Sequence, residues 1–370
     1  MFYATTQEIT TPRPTAGGYT MREVRSATQA EWDAILEAAP GGGHIFQSHE
    51  WGEFKRQRKW KPVRLVLERD GEVAGAGQFL VLKTPVPGKL MYAPKGPWLP
   101  WDDEEAVRTF FRGVLTVAER EGVHTVKIEP EVTEERKDVK ALLSDIGFTK
   151  ARYDLQFKTT MIIDLSPSED QLLKNMKEKT RYNIRLAVRK GVRVVEDNSA
   201  EAQEAFYQMM QQTAKRDGFG LKPREYYMDV WKAMYDAGRA HLFFAEHEGE
   251  RLAGLLAYTF GGKYWYKLGA STNEKRNLMP TYLLQWEVMR WAKSQGITYY
   301  DMVAIPNPNE LNENSTMWGL YKFKVGFGGE IAEFLGCLDL RVKKVRAAAW
   351  YNFEPLYYRA YVRLFHNNYY

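Results

Sequence analysis

Two stretches of eighteen residues, "LVLERDGEVAGAGQFLVL" (Leu65–Leu82) and "FFAEHEGERLAGLLAYTF" (Phe243–Phe260), constrain the fold of this chain more than any other feature. Each joins two β-rich runs through a charged, glycine-containing turn, Asp70-Gly71 in the first and Gly249-Glu250 in the second, which is the pattern of a β-hairpin. Each also delivers small residues into the start of its second strand. The surroundings repeat in kind. The first half predicts a helix over "QAEWDAILEAAP", the hairpin, a Pro-rich loop "YAPKGPWLPW", a helix from Glu104 to Glu121, a strand "HTVKIEP", a helix over "EVTEERKDVKALLSDIGF" and a strand "TTMIIDL". The second half predicts a helix from Glu169 to Lys190, a strand "VRVVED", helices "AEAQEAFYQMMQQTAKRDG" and "REYYMDVWKAMYDAG", the hairpin, a strand "KYWYKLGAS", a helix "PTYLLQWEVMRWAKSQG" and a strand "TYYDMVAI". Hairpins mixed with helices, twice over, predict an α+β protein with mixed, mostly antiparallel sheets flanked by helices. At roughly 150 residues per domain, 370 residues make two domains.

Composition excludes several classes. The formal charge, 52 − 47 = +5, permits an anionic partner without requiring one. Cys337 is the only cysteine, so neither an intramolecular disulfide nor a Cys-rich zinc site can form. The six histidines include no His-x-x-x-His pair, and neither a metal nor a cofactor is expected. No apolar run approaches the ~20 residues needed to span a bilayer. The N-terminal "MFYATTQEITTPRPTAGGYT" lacks a basic start followed by an apolar stretch. These features predict a cytoplasmic protein with a disordered leader over residues 1–20.

Such α+β units build acyltransferases of the GNAT type. There, a coenzyme A enzyme carries an Arg/Gln-x-x-Gly-x-Gly/Ala turn whose bare amides bind pyrophosphate at a helix N-terminus. The matching stretch here is "RNLMPTYLL", with Met279 and Thr281 in the glycine positions and Pro280, which has no N–H, between them. Coenzyme A fits this loop poorly, so another acyl donor is expected.

Five segments, "IFQSHEWGEFK", "YAPKGP", "KEKTRYNIRLAVRKGV", "YYDMVAIPNP" and "LYKFKVGFGG", occur in the order and at the spacings of the Fem-type aminoacyltransferases that build the interpeptide bridge of peptidoglycan, and from about Met21 to Leu340 the chain resembles that family. The resemblance implies two tandem GNAT-like domains, the first formed by residues 21–160 with 317–345 and the second by 161–316. It further implies transfer of an amino acid of the glycine, alanine or serine class from aminoacyl-tRNA to the side-chain amine of a muropeptide, UDP-linked or lipid-linked, by a monomer. It places Lys55, Lys222 and Tyr226 at the acceptor, with lysine at a position where the family often has arginine. A substrate-contacting tyrosine of some relatives aligns with Leu268; Tyr266 lies two residues earlier on the same strand face.

The reaction is aminolysis of an ester, which needs an uncharged amine, an oxyanion stabiliser and proton transfer. In "YKFK" a period-two alternation predicts a strand with Tyr321 and Phe323 on one face and Lys322 and Lys324 on the other. That pattern alone suits a solvated basic edge strand. The resemblance instead makes Lys324 the fixed cation at the phosphates or the oxyanion, with Phe323 beside it fixing the backbone. Glu129, at the end of a predicted central strand, is either the base or a salt-bridged strand-end carboxylate. Asp301 reads as structural. Lys177, Arg181, Arg185 and Arg189, spaced by four, line one helix face, either as solvated charge or, with the resemblance, as a contact for the tRNA acceptor end or for substrate phosphates. The tail, residues 346–370, mixes basic and aromatic residues and suits either a helical arm on the first domain or a membrane interface at the inner face of the plasma membrane. Two other functions fit parts of the sequence, a non-catalytic RNA-binding module and a coenzyme A-dependent N-acetyltransferase.

Overall fold

The computed structural model describes residues 6–8, 18–39, 41–306, 311 and 317–365. It divides into two compact units, residues 1–158 with 333–364 and residues 159–332. The first unit contains β1 (Thr6–Glu8), β2 (Tyr19–Val24), α1 (Gln29–Glu37), α2 (His49–Gln57), β3 (Lys61–Arg69), β4 (Glu72–Lys83), β5 (Lys89–Ala93), α3 (Glu104–Glu121), β6 (Val123–Ile128), α4 (Lys137–Ile146) and β7 (Phe148–Lys150). The second contains β8 (Thr159–Asp164), α5 (Glu169–Asn175), α6 (Glu178–Arg189), β9 (Arg193–Glu196), α7 (Ala200–Asp217), α8 (Arg224–Asp236), β10 (Ala240–His247), β11 (Glu250–Phe260), β12 (Lys263–Ser271), α9 (Pro280–Ser294), β13 (Tyr299–Asp301), α10 (Trp318–Lys324) and β14 (Glu330–Glu333). The chain then returns to the first unit with β15 (Leu338–Arg341) and α11 (Lys344–Phe365).

The first sheet has the order β1-β2-β3-β4-β5-β6-β15-β7, antiparallel except for β5 and β6. The second runs β14-β8-β13-β12-β11-β10-β9, antiparallel along β8 to β9 except for β12 and β13. Both are mixed, mostly antiparallel and flanked by helices, the α+β fold class expected of tandem GNAT-like domains. The return of the chain comes at Glu333, later than 317, and α11 belongs to the first unit, the helical-arm alternative for the tail. The reason is burial. Ala347, Trp350 and Glu354 of α11 are enclosed, and Lys127 of β6 reaches both Asp339 of β15, at 2.9 Å, and Glu354, at 3.8 Å. Burial by itself would lower the Lys127 pKa, but these carboxylates raise it above the ordinary lysine value. In the leader, Thr6–Glu8 form a strand paired with β2, whose first residues are Tyr19 and Thr20. The rest of residues 1–17 lies outside the described residues.

The two hairpins match in detail. β3 and β4 turn on Asp70 (φ 52°) and Gly71 (φ 87°), and β10 and β11 turn on Glu248 (φ 52°) and Gly249 (φ 81°), one residue earlier than the expected Gly249-Glu250. Two successive left-handed residues give the turn whose twist matches paired strands. Each hairpin shifts register just before its turn, after Leu67 and after Ala245. The small residues that follow admit aromatic rings from the covering helices. A Cβ on Gly77 would come within 3.3 Å of Phe110 of α3, and one on Gly254 within 2.6 Å of Phe206 of α7. Because successive strand residues face opposite sides, Phe243 meets Trp291 of α9 at 5.1 Å while Phe244 meets Phe206 at 6.4 Å.

The expected single helix over 169–190 is two helices. Met176, buried and extended (ψ 152°), separates α5 from α6, and the Lys177 N–H bonds the Gly326 carbonyl at 2.9 Å instead of continuing the helix. Helix periodicity runs through the break, so the pattern alone could not show it.

Substituting Gly254→Ala should overpack the Phe206–Phe244 contact. We expect a loss of about 1–3 kcal/mol, read from urea denaturation, with Gly249→Ala losing stability by the different route of backbone strain at its positive φ.

Candidate active site

The second unit buries a lysine. In "WGLYKFK" the apolar spacing is also helical: Trp318 and Tyr321 stack at 5.6 Å and the Lys322 ammonium sits 5.6 Å from the Trp318 ring, contacts made across one turn of α10. The expected strand is therefore a helix, four alternating residues being too few to separate period 2 from 3.6. The consequence is chemical. Lys322 and Lys324, which a strand would put on one side, part company: Lys322 is exposed and Lys324 is only 5% exposed.

Lys324 Nζ donates to the backbone carbonyls of Met302 (2.8 Å), Val303 and Ala304 (3.1 Å), which occupies its three N–H donors. Val303 (φ 46°) and Ala304 (φ 51°) are both left-handed, a costly conformation for a β-branched residue, and it turns consecutive carbonyls toward one point. Asp301 braces the turn. Its Oδ1 accepts the Val303 N–H at 2.7 Å and the Thr160 hydroxyl. Burial pulls the Lys324 pKa down to about 7, with Asp301 opposing it. The carbonyl dipoles also favour the charged form, so the ammonium is poised rather than fixed.

Tyr266 lies against this cation, its ring 5.2 Å from Nζ. The ring is half-buried, but its hydroxyl end occupies the space of a missing Cβ at Gly269, and burial pushes its pKa up to about 12. The register of β11 and β12 shifts between Leu256 and Ala257, skipping Lys267, so the alternation that would put Tyr266 and Leu268 on one face is interrupted. Phe323 packs on Tyr282 (5.1 Å) and Phe327 (5.2 Å), anchoring α10 on α9.

Lys222 and Tyr226 form a second pair at the start of α8, with Nζ 4.1 Å from the ring. The basic row is less uniform than its spacing suggests. Lys177 precedes α6, and Arg181 turns back onto the last carbonyls of α5, at 3.4 Å from Leu173, 3.2 Å from Lys174 and onto Met176. Arg185 and Arg189 are exposed, the latter 5.9 Å from the Tyr182 ring. Between β12 and α9, a cleft of about 440 Å³ is lined by Ser271, Arg276, Asn277 and the first residues of α9. Met279 takes the left-handed backbone there (φ 57°), and the Tyr282 N–H bonds back to its carbonyl at 3.1 Å.

Two expected site residues belong to the first unit. Lys55 of α2 is buried, with Nζ 5.3 Å from Trp51 and 5.6 Å from Trp60. Glu129, just beyond β6, is 2% exposed. Its Oε1 accepts the N–H groups of Leu155 (2.7 Å) and Gln156 (3.0 Å), and its Oε2 accepts the Tyr92 hydroxyl. Burial raises its pKa against these three donors. Its hydrogen bonds come from a tyrosine and two amides, where a salt bridge was the structural expectation. Sequence reasoning missed Tyr92 and the Met302–Ala304 carbonyls. The first opens the quoted segment "YAPKGP", two positions before Pro94, and nothing in "MVA" signals two left-handed residues.

A lowered lysine pKa means that the unfolded chain holds more protons than the folded one between about pH 7 and 10.4, so stability should rise across that window. Urea denaturation at about pH 7 and pH 9.5 should show wild type gaining up to about 3 kcal/mol relative to Lys324→Met, in which this slope is absent.

Known proteins share this architecture. The Staphylococcus aureus protein named lipid II:glycine glycyltransferase is 26% identical in a match covering 84% of this chain and 91% of that protein. The crystal structure of FemX superposes with a TM-score of 0.82 at 24% identity, covering 89% of this chain and 99% of FemX. L-PGS from Bacillus licheniformis shares the fold more distantly, with a TM-score of 0.51 at 16% identity over 89% of this chain and 96% of that one. The profile of the FemAB family matches residues 27–249 and 240–354, taking in both hairpins, Glu129 and Lys324, and this chain belongs to the FemAB family.

Proposed function

We propose that the chain transfers an amino acid of the glycine, alanine or serine class from aminoacyl-tRNA to the side-chain amine of a lipid-linked muropeptide, extending the interpeptide bridge of peptidoglycan at the cytoplasmic face of the membrane. The observation that carries this reading is the stretch Arg276–Tyr282 within a FemAB chain. Where a coenzyme A enzyme offers bare glycine amides to pyrophosphate, this chain has the left-handed Met279, a proline without N–H and a Tyr282 amide already bonded. The name of the Staphylococcus aureus relative supports the lipid-linked acceptor and an amino acid as cargo.

In the proposed reaction the neutral acceptor amine attacks the aminoacyl ester carbonyl, an oxyanion forms, and the ribose hydroxyl departs with a proton. Lys324 supplies positive charge to that oxyanion. Each carbonyl it releases in the Met302–Ala304 turn frees one N–H for the substrate. Tyr266 holds the cation against its ring, and Phe323 sets the helix that carries it. Lys55, Lys222 and Tyr226 are assigned to the acceptor, whose phosphates suit cations, with Lys222 acting as a point charge. The exposed cations Lys177, Arg185 and Arg189 are assigned to the tRNA backbone, whereas Arg181, turned onto α5, serves more to hold that helix end. Glu129, enclosed and already accepting three hydrogen bonds, is read as the brace of Leu155–Gln156, and the substrate's own groups move the proton.

The test is transfer of radiolabel from a mixture of aminoacyl-tRNAs to lipid-linked or UDP-linked muropeptide. Wild type should transfer one label, and Lys324→Ala should slow turnover by about 10²–10³-fold. Glu129→Gln, which keeps the acceptor oxygen, should stay within about tenfold of wild type; a loss as deep as that of Lys324→Ala would make Glu129 the base. Transfer unaffected by Lys324→Ala would remove Lys324 from the chemistry. Absence of transfer to either acceptor would overturn the reading, with tRNA binding alone then pointing to an RNA-binding module and saturable coenzyme A binding to an acetyltransferase.

A further inference from the structure

We infer that the outer face of α11 is a docking surface for an anionic lipid bilayer. The inference rests on the proposed lipid-linked acceptor for its purpose, but on the helix itself for its evidence. α11 is amphipathic: Ala347, Trp350 and Glu354 face inward, whereas Phe353 is 39% exposed. Trp350 is enclosed and stands 5.9 Å from Tyr357, which continues to Tyr361 at 5.9 Å. The opposite face carries Val345, Ala349, Leu356 and Ala360, which fall within one narrow arc at 100° per residue. Val345 is 84% exposed and Leu356 60% exposed, so neither contributes to the core of the unit.

The charges complete the pattern. Lys344 and Arg359 flank the arc on one side and Arg346 on the other, with Arg363 at its end, and all four are exposed. The only acidic residue of the helix, Glu354, is buried against Lys127. The exposed face therefore holds four cations, a central apolar strip and no carboxylate. That is the composition of a helix lying in a membrane interface, where apolar side chains enter the headgroup boundary and cations meet anionic lipid. Among the described residues no helix is long and apolar enough to cross a membrane, which agrees with a helix that lies on the surface. A second copy of this face would set its cations against one another, and a nucleic acid would gain nothing from Val345 and Leu356 at the centre.

The experiment is flotation of the full-length protein with vesicles free of muropeptide, so that its failure is separate from failure of the transfer reaction. Wild type should float with phosphatidylglycerol-rich vesicles, float poorly with phosphatidylcholine vesicles, and be released by added salt. The doubly substituted V345E/L356E protein and, separately, R359E/R363E should each bind the anionic vesicles at least about tenfold more weakly. Both should melt like wild type and retain transfer to the lipid-linked muropeptide presented in detergent micelles. Equal flotation of wild type and V345E/L356E, or equal binding to both vesicle types, would overturn the proposal. So would self-association or tRNA affinity that is lost in V345E/L356E, since either would assign this face to a second copy or to RNA.

Discussion

A lysine ammonium taken out of water has to be given acceptors, and the two units of this protein meet that need in different ways. Lys127 in the first unit meets two carboxylates, Asp339 and Glu354, both from the last part of the chain. The pair of negative charges keeps it ionised, and the arrangement ties β15 and α11 to the central strand β6. Lys324 in the second unit meets three neutral carbonyls instead, held by a turn with two left-handed residues. Dipoles stabilise a charge less than carboxylates do, so burial can pull this lysine to about 7. The same side chain is thus a fixed strut in one environment and a poised cation in the other.

The hairpins show how a repeated fold is kept by different residues. Asp70-Gly71 and Glu248-Gly249 have little identity around them, yet both place two left-handed residues at the turn and a register shift just before it. The glycines beyond each turn then answer to helices of different sequence, Phe110 over Gly77 and Phe206 over Gly254. What is preserved is a gap in the sheet surface opposite an aromatic ring, since interiors tolerate neither a void nor an added methyl there.

Elements whose limits are set by local chemistry were legible. α3 runs from Glu104 to Glu121 as expected, because the Asp103 carboxylate caps the Ala106 N–H at 3.0 Å and Gly122 takes the left-handed terminus (φ 73°). α9 begins at Pro280 for a comparable reason, a proline being suited to the first helical position. The misreadings share a different cause. In "YKFK" two periods fitted four residues. Across Met176 the helical pattern persisted while the backbone turned to bond Gly326. In β12 the alternation broke at Lys267 with no residue type announcing the shift.

For this protein the sequence alone determined two α+β units, their hairpins, the absence of a glycine cradle at "RNLMPTYLL" and the set of residues from which a site could be drawn. Those properties follow from turn chemistry, periodicity and the presence or absence of an N–H, which neighbours along the chain decide. Only the tertiary structure decided which lysine of "YKFK" is buried, that Arg181 is spent on the end of α5, that Glu129 is enclosed by Tyr92 and two amides, and that Trp350 and Glu354 of α11 face inward while Val345, Leu356 and the cations face out. Burial and hydrogen-bond partners depend on segments far apart in the chain, as with Lys127 and Glu354. A residue's protonation and reach are therefore properties of the packed fold, whereas its chemical type is a property of the sequence.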